Sequence, residues 1–578
     1  MTALIQIENL HYRPESLETG KPAILRDISL TIKEGQFIAI VGRNGSGKTT
    51  LIKHINGLLL PSSGQVIVDG MDTRQPENWR RLRGLVGMVF QDPADQIVAS
   101  TVEEDVAFGL ENLNLPTEEI RRRVSEQLAA AGLSADRNRP PHLLSGGQIQ
   151  KLALAGVLAR NPKIILFDEP TSMLDVNTRE AFLKRICQLH DQGMTIIYVT
   201  HHMEEVVYAD QVVILDSGRV VNSDTPQKTF QNVINLREWG VEKPEVVDLA
   251  ERLRALGWNI DQGILTPDGL IAALPAYESD RPLRSNKSST LDKKATSTQI
   301  IEMHEVKYTY LSGTPLAKMA LDGVDFSVKK NAIHGIAGNN GSGKSTLLQH
   351  INGILRSDKG QITVKSLQLD DPETLLRDVI RLVGLVFQSP ENQFFEIYVG
   401  DEIAFGPKQF GMEDLRDRVR KAMEQVGLDF DALKDRRLET LSGGEKRKVA
   451  LASTLVLDQE IMLFDEPTAG MDPNARDELL KLFKRLKESG KTIVIASHRM
   501  EELAGLSGEL SLMQAGQVIH SGNTPETVTD YEKIKKIGLS PPLSARVAHA
   551  LQQKGWPISI QDGVTPEKLV NAIREVEK

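Results

Sequence analysis

Residues 37–50 read Phe-Ile-Ala-Ile-Val-Gly-Arg-Asn-Gly-Ser-Gly-Lys-Thr-Thr, and residues 333–346 read Ile-His-Gly-Ile-Ala-Gly-Asn-Asn-Gly-Ser-Gly-Lys-Ser-Thr. In each, a strand-length apolar run enters a glycine-rich loop that closes on a lysine and a hydroxyl residue. The segments that follow, TTLIKHINGLL and STLLQHINGIL, have helical spacing. Strand, glycine loop and helix in this order make a phosphate cradle. Glycines let the backbone wrap closely with its N–H groups inward, the lysine adds point charge, and the helix N-terminus adds its dipole. Candidate phosphate ligands are Gly42, Asn44, Gly45, Ser46, Gly47, Lys48, Thr49 and Thr50 in the first copy. In the second they are Gly338, Asn340, Gly341, Ser342, Gly343, Lys344, Ser345 and Thr346. The hydroxyls of Thr49 and Ser345 suit a Mg²⁺ shared with phosphate oxygens.

The duplication extends well past the loops. Gln91 and Gln388, Ser145 and Ser442, Asp168 and Asp465, and His201 and His498 each stand 297 positions apart (388 − 91 for the first pair). Apolar strands Ile164–Phe167 and Ile461–Phe464 each deliver two acids, Asp168-Glu169 and Asp465-Glu466. A lone Asp-Glu pair at a strand end reads as a helix cap. Beside a phosphate loop, and twice, it reads as a Mg²⁺ ligand (Asp168, Asp465) followed by a group that polarises water (Glu169, Glu466). His201 and His498 end the strands TIIYVT and TIVIAS, where contact with a γ-phosphate is the better reading. The adjacent His202 competes in the first half.

At 578 residues the chain is too long for one core, and at ~150 residues per domain it holds three or four. We expect a first α/β domain over 4–229 with an appendix at 230–275, a flexible polar linker at 276–299, a second domain over 300–527, and an appendix at 528–578. An ordered surface segment is the alternative for the linker. Each appendix should contain a helix, a turn at Gly-Trp (257–258 and 555–556), a short extended piece, and a helix capped by Thr266 or Thr565. Such a unit serves either as packing or as a dimerisation surface. The net charge of −9 argues against a nucleic-acid partner. Cys187 is the only cysteine, which excludes an intrachain disulfide and a Cys-ligated cluster. No run approaches the ~20 apolar residues that span a bilayer, and the N-terminal stretch lacks the pattern of a signal peptide.

Leu144-Ser145-Gly146-Gly147-Gln148 and Leu441-Ser442-Gly443-Gly444-Glu445 resemble the signature motif of ABC ATPases. Gln91 and Gln388 match the family's Q-loop, and 172–175 and 469–472 its D-loop. The resemblance covers both halves. It implies an α/β fold of two tandem nucleotide-binding domains, each with a P-loop NTPase core, an antiparallel β subdomain and a helical subdomain. It also implies ATP and Mg²⁺ as cofactors, and two ATP molecules sandwiched head to tail. Lys48, Thr49, Gln91, Asp168, Glu169 and His201 would then face Ser442 and Gly444. Lys344, Ser345, Gln388, Asp465, Glu466 and His498 would face Ser145 and Gly147. Catalysis is expected from Glu169, Glu466, His201, His498, Gln91 and Gln388, and Mg²⁺ ligation from Thr49, Gln91, Asp168, Ser345, Gln388 and Asp465. Both sites are expected to hydrolyse ATP. Tyr310 is placed to stack on adenine; its aligned position in the first half is Pro14, so either Tyr12 substitutes there or stacking at that site is weak. Glu445, where the motif has glutamine, should be tolerated because it lies away from the Ser and Gly donors.

The text after each Q-loop (Gln91–Gly109; Gln388–Pro407) resembles the two ATPase subunits of energy-coupling-factor importers, fused here. That implies a transmembrane coupling subunit and a membrane substrate-binding subunit as partners. It implies a place on the cytoplasmic face of a prokaryotic cell membrane, and uptake of a vitamin, a vitamin precursor or a transition metal. Glu103, Glu104, Asp401 and Glu402 are candidate contacts for the coupling subunit, or simply acids favoured at a helix start. Competing readings are the ATPase of another ABC transporter, or a soluble twin ATPase of translation or repair.

Overall fold

The computed structural model describes residues 3–14, 23–172, 174, 176–232, 235–277, 298–314, 317–388, 394–469, 471 and 473–577. Most of the expected linker, and the D-loop positions 173, 175, 470 and 472, lie outside the described residues. Contacts divide the chain into two compact units, Met1–Asp248 and Leu249–Lys578.

In the first unit a four-stranded antiparallel sheet runs in the order Leu25–Lys33, Ala3–Tyr12, Ser63–Val68, Met71–Asp72. A six-stranded sheet has the order Arg219–Asp224, Gln211–Asp216, Phe37–Val41, Thr195–Val199, Ile164–Asp168, Val86–Val89. All its pairings are parallel except the edge hairpin of the first two. Phe37–Val41, Ile164–Asp168 and Thr195–Val199 are buried at every residue. This is the continuous apolar pattern of strands covered on both faces. Such strands can place functional groups only where they end, and the loops after Val41, Asp168 and Val199 do this. Helices Val102–Glu111, Thr117–Ala131 and Gly146–Ala159 form a separate core through Val102, Val106, Leu110, Val124, Leu128 and Leu152.

The second unit repeats this plan. Its antiparallel sheet is Lys318–Lys329, Gln299–Tyr310, Lys359–Val364, Leu367–Gln368. Its larger sheet is Val383–Val386, Ile461–Asp465, Thr492–Ser497, Ile333–Ala337, Glu509–Gln514, Gln517–Asn523.

The second unit also contains residues 249–277, which pack on the second appendix. Helix Glu245–Arg254 crosses the boundary between the units. Trp258 meets Trp556 with ring centroids 4.9 Å apart, and Tyr277 meets the same ring at 5.3 Å. Trp556 Nε1 donates to Pro275 O at 3.0 Å, and Lys554 Nζ to Leu274 O at 2.5 Å. Arg252 pairs with Glu567 at 2.8 Å, and Arg546 with Asp268 at 3.0 Å. Thr266 caps its helix as expected, and Thr565 Oγ1 accepts from Lys568 N. In the second appendix residues 556–559 follow the Gly-Trp turn without helical structure, and Ser559 is extended. Ile560–Val564 is a 3₁₀ turn, because Ser559 and Asp562 close a capping box around it.

Not every buried residue of the core is apolar. His334 stands in the central strand where the first half has Ile38. It is 1% exposed, with Nε2 2.8 Å from Ser511 Oγ. Burial, aided by the charge of Lys329, pushes it down to about 4. The unfolded chain therefore takes up a proton near pH 6.5 that the folded chain refuses until about pH 4. Stability is unaffected above that window and falls as pH drops through it, by about 2 kcal/mol at pH 5. His334→Ile should flatten this loss, and urea midpoints at pH 7 and pH 5 for both chains would test it. An equal acid shift in the two chains would refute the role given to His334.

Candidate nucleotide site

The two phosphate loops are built alike. A Cβ on Gly42 would lie 2.0 Å from Leu215 O, and Gly47, at φ 103°, would put one 2.7 Å from Leu25 Cδ2. Neither position accepts another residue without backbone movement. Lys48 Nζ donates to Gly42 O at 2.8 Å and Arg43 O at 2.9 Å. Lys344 Nζ donates to Gly338 O and Asn339 O at 2.6 and 3.1 Å. Both lysines are 5% exposed. Each ammonium is thus fixed at the mouth of its loop.

Thr49 Oγ1 donates to Asp168 Oδ1 at 3.0 Å, and Ser345 hydrogen-bonds Asp465. Burial raises both aspartates, and the adjacent glutamate adds to it. Glu169 and Glu466 stand at φ 47° and 46°, in the left-handed region that a residue with a Cβ avoids at a cost of about 1 kcal/mol. Their N–H groups are held by Val199 O and Ala496 O, each at 2.9 Å. Their carboxylates meet the histidines: His201 Nε2 lies 2.6 Å from Glu169 Oε1, and His498 Nδ1 lies 2.9 Å from Glu466 Oε2. Burial pushes each glutamate up, but the histidine's hydrogen bond and charge, with the nearby lysine, hold it below its ordinary value. Each cluster therefore keeps an ionised carboxylate beside a cationic loop.

Gln91 joins its cluster, with Nε2 3.4 Å from Glu169 Oε2. Gln388 is exposed, and its carbonyl accepts from Arg447 Nη2 at 3.1 Å. Tyr310 is 36% exposed, with its hydroxyl 3.2 Å from Thr346 Oγ1. Tyr12 packs edge-on against His54 at 4.7 Å, as Tyr308 does against His350 at 4.8 Å, so Tyr12 is the counterpart of Tyr308.

Ser145 and Ser442 are helix N-caps. Gly147 and Gly444 lie in the first turns that follow. Glu445 does not lie away from the donors. Its Oε2 accepts from both the N–H and the hydroxyl of Ser442 at 2.8 Å, because the third residue of a capping box reaches back to the cap. In the first half Gln148 Oε1 takes only the Ser145 N–H, at 3.0 Å, and the amide of Gln148 donates to Asp136. Glu402 is no partner contact either: it is 4% exposed and accepts from Phe395 N and Glu396 N at 2.9 Å. Glu104 closes a capping box with Thr101. Sequence reasoning passed over Glu205 and Glu502, four residues beyond the histidines. Their repetition at the common spacing was the available signal.

The family model described as ABC transporter matches residues 25–172 and 321–469. The chain belongs to the ABC transporter family. An ABC transporter ATP-binding protein of Caldanaerobacter subterraneus subsp. tengcongensis is 30% identical over 91% of this chain and 93% of its own length. One of Methanosarcina mazei is 30% identical over 96% and 95%. The energy-coupling factor transporter ATP-binding protein of Clostridium novyi is 46% identical over 47% of this chain and 97% of its own length. As an ABC ATPase the chain binds ATP with Mg²⁺ and hydrolyses it. Its residues fit that ligand. Ser46 Oγ and Ser342 Oγ are buried in the loops without a hydrogen-bond partner among the described residues, and so is Asp465 Oδ1. Phosphate oxygens and a cation would satisfy them. When bound, Mg²⁺ supplies neutralising charge on the phosphates. Among the described residues no helix of this ABC ATPase is long and apolar enough to cross a membrane.

Proposed function

We propose that this chain is the ATPase of an energy-coupling-factor importer, with both motor halves fused. It would work at the cytoplasmic face of a prokaryotic membrane, beneath a transmembrane coupling subunit and a membrane subunit that binds a vitamin, a vitamin precursor or a transition metal. The observation that carries this is the match of nearly the whole Clostridium novyi energy-coupling factor protein to half of this chain at 46% identity. Exposed apolar side chains after each Q-loop support it. Phe395, Ile397 and Tyr398 are 77%, 56% and 44% exposed, and Val98 and Phe108 are 63% and 50% exposed. Apolar groups held in water within one short segment of each unit fit a protein partner.

In this proposal Lys48 and Lys344 hold the β- and γ-phosphates, and Thr49, Asp168, Ser345 and Asp465 hold Mg²⁺. Glu169 and Glu466 polarise water, each oriented by His201 or His498. Gln91 and Gln388 sense the metal, and Ser145, Gly147, Ser442 and Gly444 donate to γ-phosphate oxygens.

Recovery of the tagged chain from detergent-solubilised membranes of its own cell tests the reading. Integral membrane proteins should copurify, and ribosomes in their place would sink it. Phe395→Asp with Ile397→Asp should cut that recovery by about tenfold or more. Undiminished recovery would remove this surface from the proposal.

A further inference from the structure

Glu205 is 1% exposed and carries no role in the site described above. Its carboxylate gathers three hydroxyls. Thr171 Oγ1 donates to Oε1 at 2.6 Å, and Tyr198 OH and Thr200 Oγ1 donate to Oε2 at 2.9 and 2.6 Å. Arg179 Nε lies 3.9 Å from Oε1. Thr171 follows Glu169 by two residues, and Thr200 immediately precedes His201. One buried carboxylate therefore fastens the loop that carries the glutamate to the strand end that carries the histidine.

The second half has the same fastening in different chemistry. Thr468 Oγ1 donates to Glu502 Oε2 at 2.6 Å. Ile495 replaces Tyr198, and Arg499, which replaces His202, comes within 3.1 Å of Glu502 Oε1; Arg476 Nε lies at 4.0 Å. A carboxylate removed from water costs several kcal/mol unless its partners repay it. Mere packing would not call for a charge here, since an apolar side chain would fill the same space. The hydroxyl partners sit on the two segments that set the Glu–His distance, and Arg179 and Arg476 approach from helices Val176–Asp191 and Pro473–Glu488.

We infer that Glu205 and Glu502 are positioning residues for ATP hydrolysis, each locking the Asp-Glu loop to the histidine loop so that Glu169–His201 and Glu466–His498 keep their hydrogen bonds. The φ near +47° at each glutamate sharpens the need. A backbone held in a disfavoured region relaxes when its surroundings loosen, and the carboxylate then leaves the line of attack. Misplacement on this scale lowers the chemical step and leaves binding of the phosphates, which rests on the glycine loops, in place.

The test is the full chain with Glu205→Ala and Glu502→Ala together, against the paired Gln variant. Readouts are kcat and KM for MgATP and the thermal unfolding midpoint. The alanine pair should lose about 10- to 100-fold in kcat with KM nearly unchanged. The glutamine pair, whose amide can still meet Thr171 and Thr468, should recover most of it. If the alanine pair does not fold, Thr171→Val with Thr468→Val cuts the same link one hydroxyl at a time, and the same kcat loss is expected. An unchanged kcat in the variant that folds overturns the inference. So does a loss in which KM and the unfolding midpoint move with kcat and glutamine restores nothing.

Discussion

Glu466→Gln and Glu169→Gln should each cut ATP turnover substantially, and the double variant should lose about 10²- to 10⁴-fold, the range for removing a general base. Glutamine keeps the size of the side chain and an oxygen for the histidine, so the change isolates charge. Both carboxylates are held below their ordinary value against the pull of burial, which means the ionised form is the one these clusters are built around. Neither variant should lose MgATP, because the glycine loops and lysines are untouched. The halves are not identical: the two histidines turn different ring nitrogens to their glutamates. Steady-state turnover and equilibrium binding of a fluorescent ATP analogue separate the effects. Full activity in Glu169→Gln beside an inert Glu466→Gln would show that only one site works.

Cutting the chain within 278–297 should leave the pieces associated. Residues 249–277 belong to the second unit, and helix Glu245–Arg254 spans the division at residue 248. After a cut, residues 249–277 remain seated on the second appendix through two tryptophans, Tyr277, two ion pairs and the carbonyl contacts of Lys554. Trp556 is 7% exposed, and removing a ring so buried costs about 3–5 kcal/mol. Trp556→Ala in the cut protein should therefore weaken association by two orders of magnitude or more. Insertion of a protease site followed by size-exclusion chromatography gives the answer. Separation of the wild-type pieces would mean that the appendix contact is too weak to hold them.

Much of this molecule was legible because phosphate chemistry admits few solutions. A loop that must approach phosphate needs Gly42 and Gly47, and a buried strand can offer acids only at its end, as Asp168 and Glu169 do. The four-stranded antiparallel sheets stand where the resemblance implied, and the parallel strands end where the apolar runs do. What the residues did not disclose depends on partners scattered along the chain. Glu205 draws on Thr171, Arg179, Tyr198 and Thr200, and none of these is informative alone. Glu445 departs from the expectation because a cap reaches backward along its helix, and Glu402 because a charge at a helix start can be turned inward onto backbone N–H groups. For the appendices, a helix–turn–helix with one tryptophan has the same sequence whether its ring faces its own core or another copy.

The meeting of the appendices also has a consequence in time. Arg252 and Trp258 find Glu567 and Glu577 across more than 300 residues of chain. A ribosome making roughly 5–20 residues per second would expose Trp258 for some tens of seconds before its counterpart exists. The first half can fold meanwhile, but Trp556, Glu567 and Glu577, which meet this surface, are not yet made. Chain closure is thus a late, long-range event. A product truncated before residue 543 would carry an uncovered aromatic face, a mark by which quality control could tell unfinished chains from finished ones.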